Sequence, residues 1–240
     1  MKYVIQITAI ILASLLFVSC EKDKEAPSIA TINVVNAAVN AGTVKVNNFG
    51  TPITWSTYTG TNSSVAFSAF RVYAVPAGNA PITIVPTSDT LTPIYNNSIA
   101  TTGGDVYSLY LIGQSPTYES ILVKETIPAI AYTDSSVNVR FINLVPNSAA
   151  VNVNLSTTTA VNEWSNIAYK SSGDFRKYDA KAANGANLIF QIKDASTGTQ
   201  RASFTLPLAS TRFHSVTLVF KGLIGGTSPN AAGVLQVGNF

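Results

Sequence analysis

The chain is short of the residues that most enzyme chemistry needs. Its 240 residues include one cysteine, one histidine, one methionine and two tryptophans. A single cysteine excludes an intrachain disulfide framework. One cysteine and one histidine are too few for a tetrahedral zinc site or an iron–sulfur cluster. A lone histidine leaves little scope for relays in which an imidazole, oriented by an acid, activates a nucleophile. Charge is scarce too: Asp, Glu, Lys and Arg make up 11%, against about a quarter in ordinary domains. There is no Gly-x-Ser-x-Gly elbow, no Asp-x-Asp-x-Asp-Gly calcium loop and no nucleic-acid recognition motif. No metal, cofactor or nucleic-acid partner is expected. What the chain does have is apolar surface. Hydrophobic residues make up 46%, enough for a sizeable core.

Met1–Ser19 reads as a secretory signal. Lys2 gives the positive start and Val4–Val18 the apolar stretch, shorter than the about 20 residues of a comfortable membrane span. An uncleaved anchor helix is the other reading. Leu16-Phe17-Val18-Ser19-Cys20 resembles a bacterial lipobox, in which a small residue precedes the cysteine that becomes lipidated; Phe17 stands where Leu is usual. The resemblance implies an acyl anchor on Cys20, each buried CH₂ contributing about 0.8 kcal/mol to membrane attachment. Residues 20–27 follow as the lipidated cysteine and a tether, with five successive charges from Glu21 to Glu25. Such a run cannot fold alone. It resembles the export signal of surface lipoproteins in Bacteroidota-type bacteria, although a plain spacer reads equally well. The expected location is the outer membrane, facing either the periplasm or the exterior.

The body is an internal repeat. Placing Asn36 on Asn143 aligns Ala30–Asn47 with Val137–Asn154 over 18 positions without a gap. Ile32, Val34 and Val35 fall on Val139, Phe141 and Ile142. Further along, Trp55 is matched with Trp164, Phe70-Arg71-Val72-Tyr73 with Phe175-Arg176-Lys177-Tyr178, and Val106–Leu109 with Phe213–Val216. The copies span 28–128 and 135–240, joined by a linker at 129–134. Within each copy the apolar period is two: Val137, Val139 and Phe141 alternate with Asn138 and Arg140, the mark of a half-buried strand. Turn clusters separate such runs, at Asn40-Ala41-Gly42, Pro76–Asn79, Thr102–Asp105, Asn184-Gly185, Gly198-Thr199 and Gly225-Gly226. About seven short strands per copy fit an all-β chain of two tandem antiparallel β-sandwiches. One transmembrane barrel is the alternative, opposed by the repeat and the modest strand lengths.

Val139-Arg140-Phe141-Ile142-Asn143, then Pro146-Asn147-Ser148 and Val151-Asn152-Val153, resemble the opening of the family called domain of unknown function 4397. Its typical later Tyr and Ala-Gly turn are matched by Tyr73 with Ala77-Gly78, and by Tyr178 with Asn184-Gly185. The resemblance covers both copies. It implies an extracytoplasmic immunoglobulin-like or transthyretin-like β-sandwich and no established chemistry. The family's frequent acidic residue is absent, since Lys45 and Asn152 occupy its place.

The candidate functional residues are few. His214 shares one face of a strand with Val216, Leu218 and Phe220, and its repeat partner is Tyr107, so it reads as packing with a polar handle. Nine acids follow residue 25, mostly in or beside turns, where Asp caps backbone groups; spacing in sequence does not identify which two could form a hydrolytic pair, and Glu163→Gln or Asp174→Asn would abolish turnover in a glycan- or peptide-hydrolysing enzyme. Asp194–Gly198 reads as a hairpin turn. Trp55 and Trp164 are each either a core plug or a platform for a sugar ring, and packing is the commoner use of such a ring. Tyr58, Tyr118, Tyr132 and Tyr169 are weaker platforms. Charge is unequally shared, net −1 in the first copy and +5 in the second. Lys170, Arg176, Lys177 and Lys181 cluster around one strand, forming either a solvated face or a patch for an anionic glycan. Asp89-Thr90-Leu91 resembles a short acceptor motif for O-linked glycans in such bacteria. The functional expectation is a non-enzymatic envelope lipoprotein that binds a surface glycan or protein, or serves structurally. An adhesin or pilus-like component assembling through edge strands and a hydrolase are the alternatives.

Overall fold

The computed structural model describes residues 28–59, 63–131, 133–181 and 187–239. The signal, Cys20 and its tether, Tyr132 and the Asn184-Gly185 turn lie outside them. Among the described residues no helix is long and apolar enough to cross a membrane.

The first half runs β1 (Ile29–Asn36), β2 (Val44–Asn47), β3 (Ser64–Val65), β4 (Ala69–Pro76), β5 (Gly78–Pro86), β6 (Tyr95–Thr101), β7 (Val106–Gln114) and β8 (Thr117–Lys124). The second runs β9 (Ser136–Asn143), β10 (Val151–Leu155), β11 (Asn162–Ile167), β12 (Arg176–Asp179), β13 (Asn187–Asp194), β14 (Gln200–Pro207), a one-turn helix α1 (Leu208–Thr211), β15 (Ser215–Lys221) and β16 (Gly233–Gly238). Four sheets of four strands result, ordered β4-β1-β7-β8, β3-β2-β5-β6, β12-β9-β15-β16 and β11-β10-β13-β14. No sheet mixes strands of the two halves. The chain is thus all-β, two tandem sandwiches of one topology. Each has one parallel pair, β1 with β7 and β9 with β15, in otherwise antiparallel sheets. The first strand of each half lies inside its sheet. The immunoglobulin order, which groups A, B, E and D against C, F and G, does not place it there. The order is thus not the immunoglobulin one.

Period-two patterning explains each core. Ile32, Val34, Leu109 and Leu111 point to one side of the first sheet and meet Val44, Val46, Ile82 and Ile84 from the second. In the second half Val139, Phe141, Leu218 and Phe220 meet Val151, Val153, Phe190 and Ile192. Each such side chain contributes about 1.5–3 kcal/mol when fully buried.

The patterning misreads the other side. Asn138 and Arg140 alternate with core residues and were expected to face water, yet every residue of β9 and β15 is buried. The cause is a third cluster, between the sandwiches. Val35, Tyr110 and Ile112 of the first pack against Ile142, Val219 and Val237 of the second, joined by Leu144. The chain is therefore four layers of sheet, with the two inner sheets back to back.

A polar seam accompanies that cluster. The Arg140 guanidinium meets both oxygens of Glu125 at 2.8 Å. It also donates to Thr217 Oγ1 at 3.0 Å and to the Tyr110 hydroxyl at 3.4 Å. Burial raises the Tyr110 hydroxyl pKa, opposed by the neighbouring Arg140. At the rim Asn230 Nδ2 donates to Asn40 Oδ1 at 2.6 Å, Lys170 pairs with Glu119, and the Lys221 ammonium sits 5.1 Å over the Phe67 ring.

The pairing registers also correct the repeat alignment. Ile32 lies beside Tyr107 and Val139 beside Val216, so Tyr107 corresponds to Val216 rather than His214. Ile32 also lies opposite Tyr73, whereas Val139 lies opposite Arg176, two residues short of Tyr178. The Phe-Arg-x-Tyr match is thus two residues out of register. An even slip preserves which side chains face the core. The corrected spacing puts Phe213, at φ 67°, where the first copy has Gly104, at φ 82°.

Candidate ligand-binding site

Residues 48–59 lie in the connection between β2 and β3. Asn47 shapes the entry: its side-chain oxygen accepts from the Phe49 amide at 3.0 Å and its Nδ2 donates to Thr51 O at 2.9 Å. Such local bonding is what makes Asn a turn residue. Gly50 follows at φ +72°, and a Cβ there would lie 2.6 Å from the Pro81 ring. Only glycine lets the loop lie this flat on β5. Asn48 Nδ2 donates to Ala74 O at 3.1 Å, tying the loop to β4. The Lys45 ammonium, on the outer side of β2, donates to Trp55 O at 2.5 Å.

The loop so held carries three aromatic rings. Tyr58 meets Phe49 edge-on at 6.4 Å between centroids and Trp55 at 6.2 Å. Phe49 is 63% exposed. Trp55 and Tyr58 are half-buried, and the partial burial of Tyr58 raises its pKa. The same loop, through Gly50, Thr51 and Pro52, lines a groove of about 280 Å³ together with Asn47, Pro81, Thr83 and Asn96. Asn47, Thr83 and Asn96 are successive cross-strand neighbours on β2, β5 and β6, and Thr83 Oγ1 donates to Asn96 Oδ1 at 3.0 Å. A second groove, of about 410 Å³, lies among the tips of three connections of the first sandwich. It is lined by Asn40, Pro86, Ser88, Asp89, Thr92, Pro93, Ile94, Ser115, Pro116 and Tyr118. There Asp89 Oδ1 caps the amides of Leu91 and Thr92, which with a Thr92 side-chain bond lowers its pKa, and Leu91 stands 92% exposed.

The other candidates separate. Trp164 is not the counterpart of Trp55 and is no surface platform. Val44 pairs with Val65 and Val151 with Ile167, so β11, which bears Trp164, corresponds to β3, and Trp55 lies upstream in the loop. Trp164 is 5% exposed, packs on Phe141 and Phe190 at 6.1 and 6.0 Å, and spends its Nε1–H on Asp174 O at 2.9 Å. Gly173 lies flat against its indole. The basic cluster is likewise not a free cationic surface, because each member faces an acid. Lys170 pairs with Glu119, Lys177 with Asp134, Lys181 with Asp179 at 3.3 Å and Arg176 with Glu163 at 3.8 Å. His214 is exposed rather than packed, with Nδ1 2.9 Å from Arg212 O. Glu163 accepts from the Tyr178 hydroxyl at 2.8 Å. That bond, together with burial, raises the Tyr178 pKa well above its ordinary value. Asp194 caps the Ser196 and Thr197 amides in its hairpin and pairs with Arg201.

Phe49 and the Asn47–Thr83–Asn96 row were not singled out from the sequence. The signal for Phe49 was available, as an aromatic next to Gly50 in a polar stretch after β2. The row was not, because its members become neighbours only through sheet register.

Together these features give a two-sandwich β protein with three aromatic rings on a loop whose Gly50–Pro52 stretch lines a polar groove with no charged residue in its lining. Among the described residues no group of three or more His, Cys, Asp or Glu could hold a metal ion. No family model matches the chain, and no curated protein matches it. Among solved structures, the chain is similar to the family 26 carbohydrate-binding module CBMbc of Eubacterium rectale Amy13K, in complex with maltoheptaose. The identity is 10%, with 88% of this chain and 95% of that one covered and a TM-score of 0.24. A family 41 module from streptococcal virulence factors, described for alpha-glucan recognition, is similar at 10% identity, covering 85% and 96%, with a TM-score of 0.25. At those scores neither likeness bears on the ligand.

Proposed function

We propose that the protein is a non-catalytic envelope lipoprotein that binds a glycan through the loop at residues 48–59. The observation that carries the reading is the partly exposed Phe49–Trp55–Tyr58 cluster on a loop whose Gly50–Pro52 stretch lines a groove of amides and hydroxyls. Amphipathic rings combine apolar contact area with little conformational freedom to lose, and a few placed polar groups then fix orientation. Cys20 would hold this body at the membrane, and the tandem copies would be members of the domain of unknown function 4397 family. The test is a glycan array probed with residues 21–240, which hold both sandwiches whole. Trp55→Ala is expected to weaken the bound glycans about tenfold or more, the scale of losing a central interface aromatic. Absence of any glycan binding, or binding indifferent to Trp55→Ala, would sink the proposal. Membrane attachment is tested separately: incorporation of labelled fatty acid in the producing cell is expected to vanish in Cys20→Ser, and labelling that persists would reject the anchor.

A further inference from the structure

We infer that this site selects uncharged glycan chains over anionic ones, and that the Asn47–Thr83–Asn96 row supplies its polar contacts. The inference rests on the glycan reading above and narrows it to a substrate class.

The argument begins with register. Asn47 pairs with Thr83, and Thr83 with Asn96, so the three side chains stand in one line across β2, β5 and β6. Adjacent strands are about 4.8 Å apart, which makes the line about 10 Å long. That exceeds one pyranose ring and suits an oligosaccharide laid across the strands. Asn47 is buried and spends its side chain on the Phe49 amide and Thr51 O, shaping one end of the line, and Thr83 donates to Asn96 Oδ1; the Asn96 Nδ2 donors and the Thr83 hydroxyl oxygen are left for sugar hydroxyls. Thr51 and Pro52 wall the groove, and no charged side chain lines it.

Charge is the deciding feature. Lys45 is on the same outer face, but its ammonium is held by Trp55 O, where it fixes the loop. A carboxylate or sulfate pressed into the groove would lose water with no cation in the groove's lining to pair with, since Lys45, still charged while it donates to a carbonyl, is not among the lining residues. The cations of the second copy offer no substitute, since Lys170, Arg176, Lys177 and Lys181 each face a carboxylate. The four clustered cations, which pointed to anionic polymers from sequence alone, are each engaged in an ion pair.

The experiment is affinity electrophoresis of residues 21–240 through gels containing neutral polymers (an α-glucan, a β-glucan, a mannan) or anionic ones (polygalacturonate, chondroitin sulfate), at low and high salt. Retardation is expected on at least one neutral polymer and to be insensitive to salt. Asn96→Ala, at an exposed position, and Thr83→Val, at a half-buried one, both outside the core cluster of their sheet, are each expected to weaken it about tenfold, the loss of one well-placed hydrogen bond. Thermal unfolding of each variant at the wild-type midpoint separates lost contact from lost fold. Retardation confined to anionic polymers and falling with salt would overturn the inference while leaving glycan binding intact. Neutral binding lost in Trp55→Ala but unchanged in both row variants would overturn the assignment of the row. No retardation on any polymer, with none on the array, would overturn the glycan reading itself.

Discussion

Arg140 shows how much a single residue can mislead when read from sequence and how much it controls in the fold. In the strand Val137–Phe141 it sits at a polar beat and reads as solvent-facing. It is 8% exposed, and its partner Glu125 has no exposed side-chain surface. The two come from different sandwiches, and no local pattern links residues that far apart in fold and character. Removing one member of a buried ion pair leaves the other desolvated and unpaired, which costs about 3–5 kcal/mol. Glu125→Ala is therefore expected to lower the unfolding free energy by about that amount. The double variant Glu125→Leu with Arg140→Met is expected to recover most of the loss, because a buried ion pair replaced by apolar groups of similar volume is close to neutral. Urea unfolding of the wild type, Glu125→Ala and the double variant checks it. A cost below about 1 kcal/mol for Glu125→Ala would mean the pair is solvated.

At the scale of elements, what the sequence made legible was strand existence and inward face; what it did not was strand partnership. The gapless match of Ala30–Asn47 to Val137–Asn154 coincides with β1–β2 and β9–β10, because both copies need the same inward Val and Ile there. The Phe-Arg-x-Tyr and Trp matches failed because their sequence likeness is not backed by equal spacing from the partner strand. Both copies tolerate insertions in the connection before β3 and β11, and the copies diverge there. In the first, the extra chain becomes the aromatic loop, seated by Gly50 on Pro81. An L-residue in that left-handed conformation is strained by about 1–2 kcal/mol, apart from its 2.6 Å collision with the ring. Gly50→Ala is expected to lift the loop while leaving both cores alone. Global stability should fall by about 1–2 kcal/mol or less, and Trp55 fluorescence should shift to the red. A Trp164→Phe background isolates that signal. An unshifted Trp55 spectrum would mean that Gly50 does not seat the loop.

At the scale of the whole molecule, the tandem repeat suggested two modules on a connector, and the structure places the same sheet of each copy against the other. The inner strands β1, β7, β9 and β15 are covered on both sides, as parallel-paired strands generally are. A sandwich separated from its neighbour would expose Val35, Tyr110 and Ile112, or Ile142 and Val219, together with half of the ion pair. The two halves should accordingly unfold as one cooperative unit, although each has its own core. The chain supplies the probes, because Trp55 belongs to the first sandwich and Trp164 to the second. Trp164→Phe leaves a reporter on the first, and Trp55→Phe a reporter on the second. Urea curves followed by fluorescence in each variant are expected to superimpose, after allowance for the stability each substitution removes, on those followed by far-ultraviolet circular dichroism. Two separated transitions, one per tryptophan, would mean that the seam between the sandwiches contributes little. The aromatic loop would then be carried by a module free to turn on residues 129–134 rather than held at a fixed orientation by the second sandwich behind it.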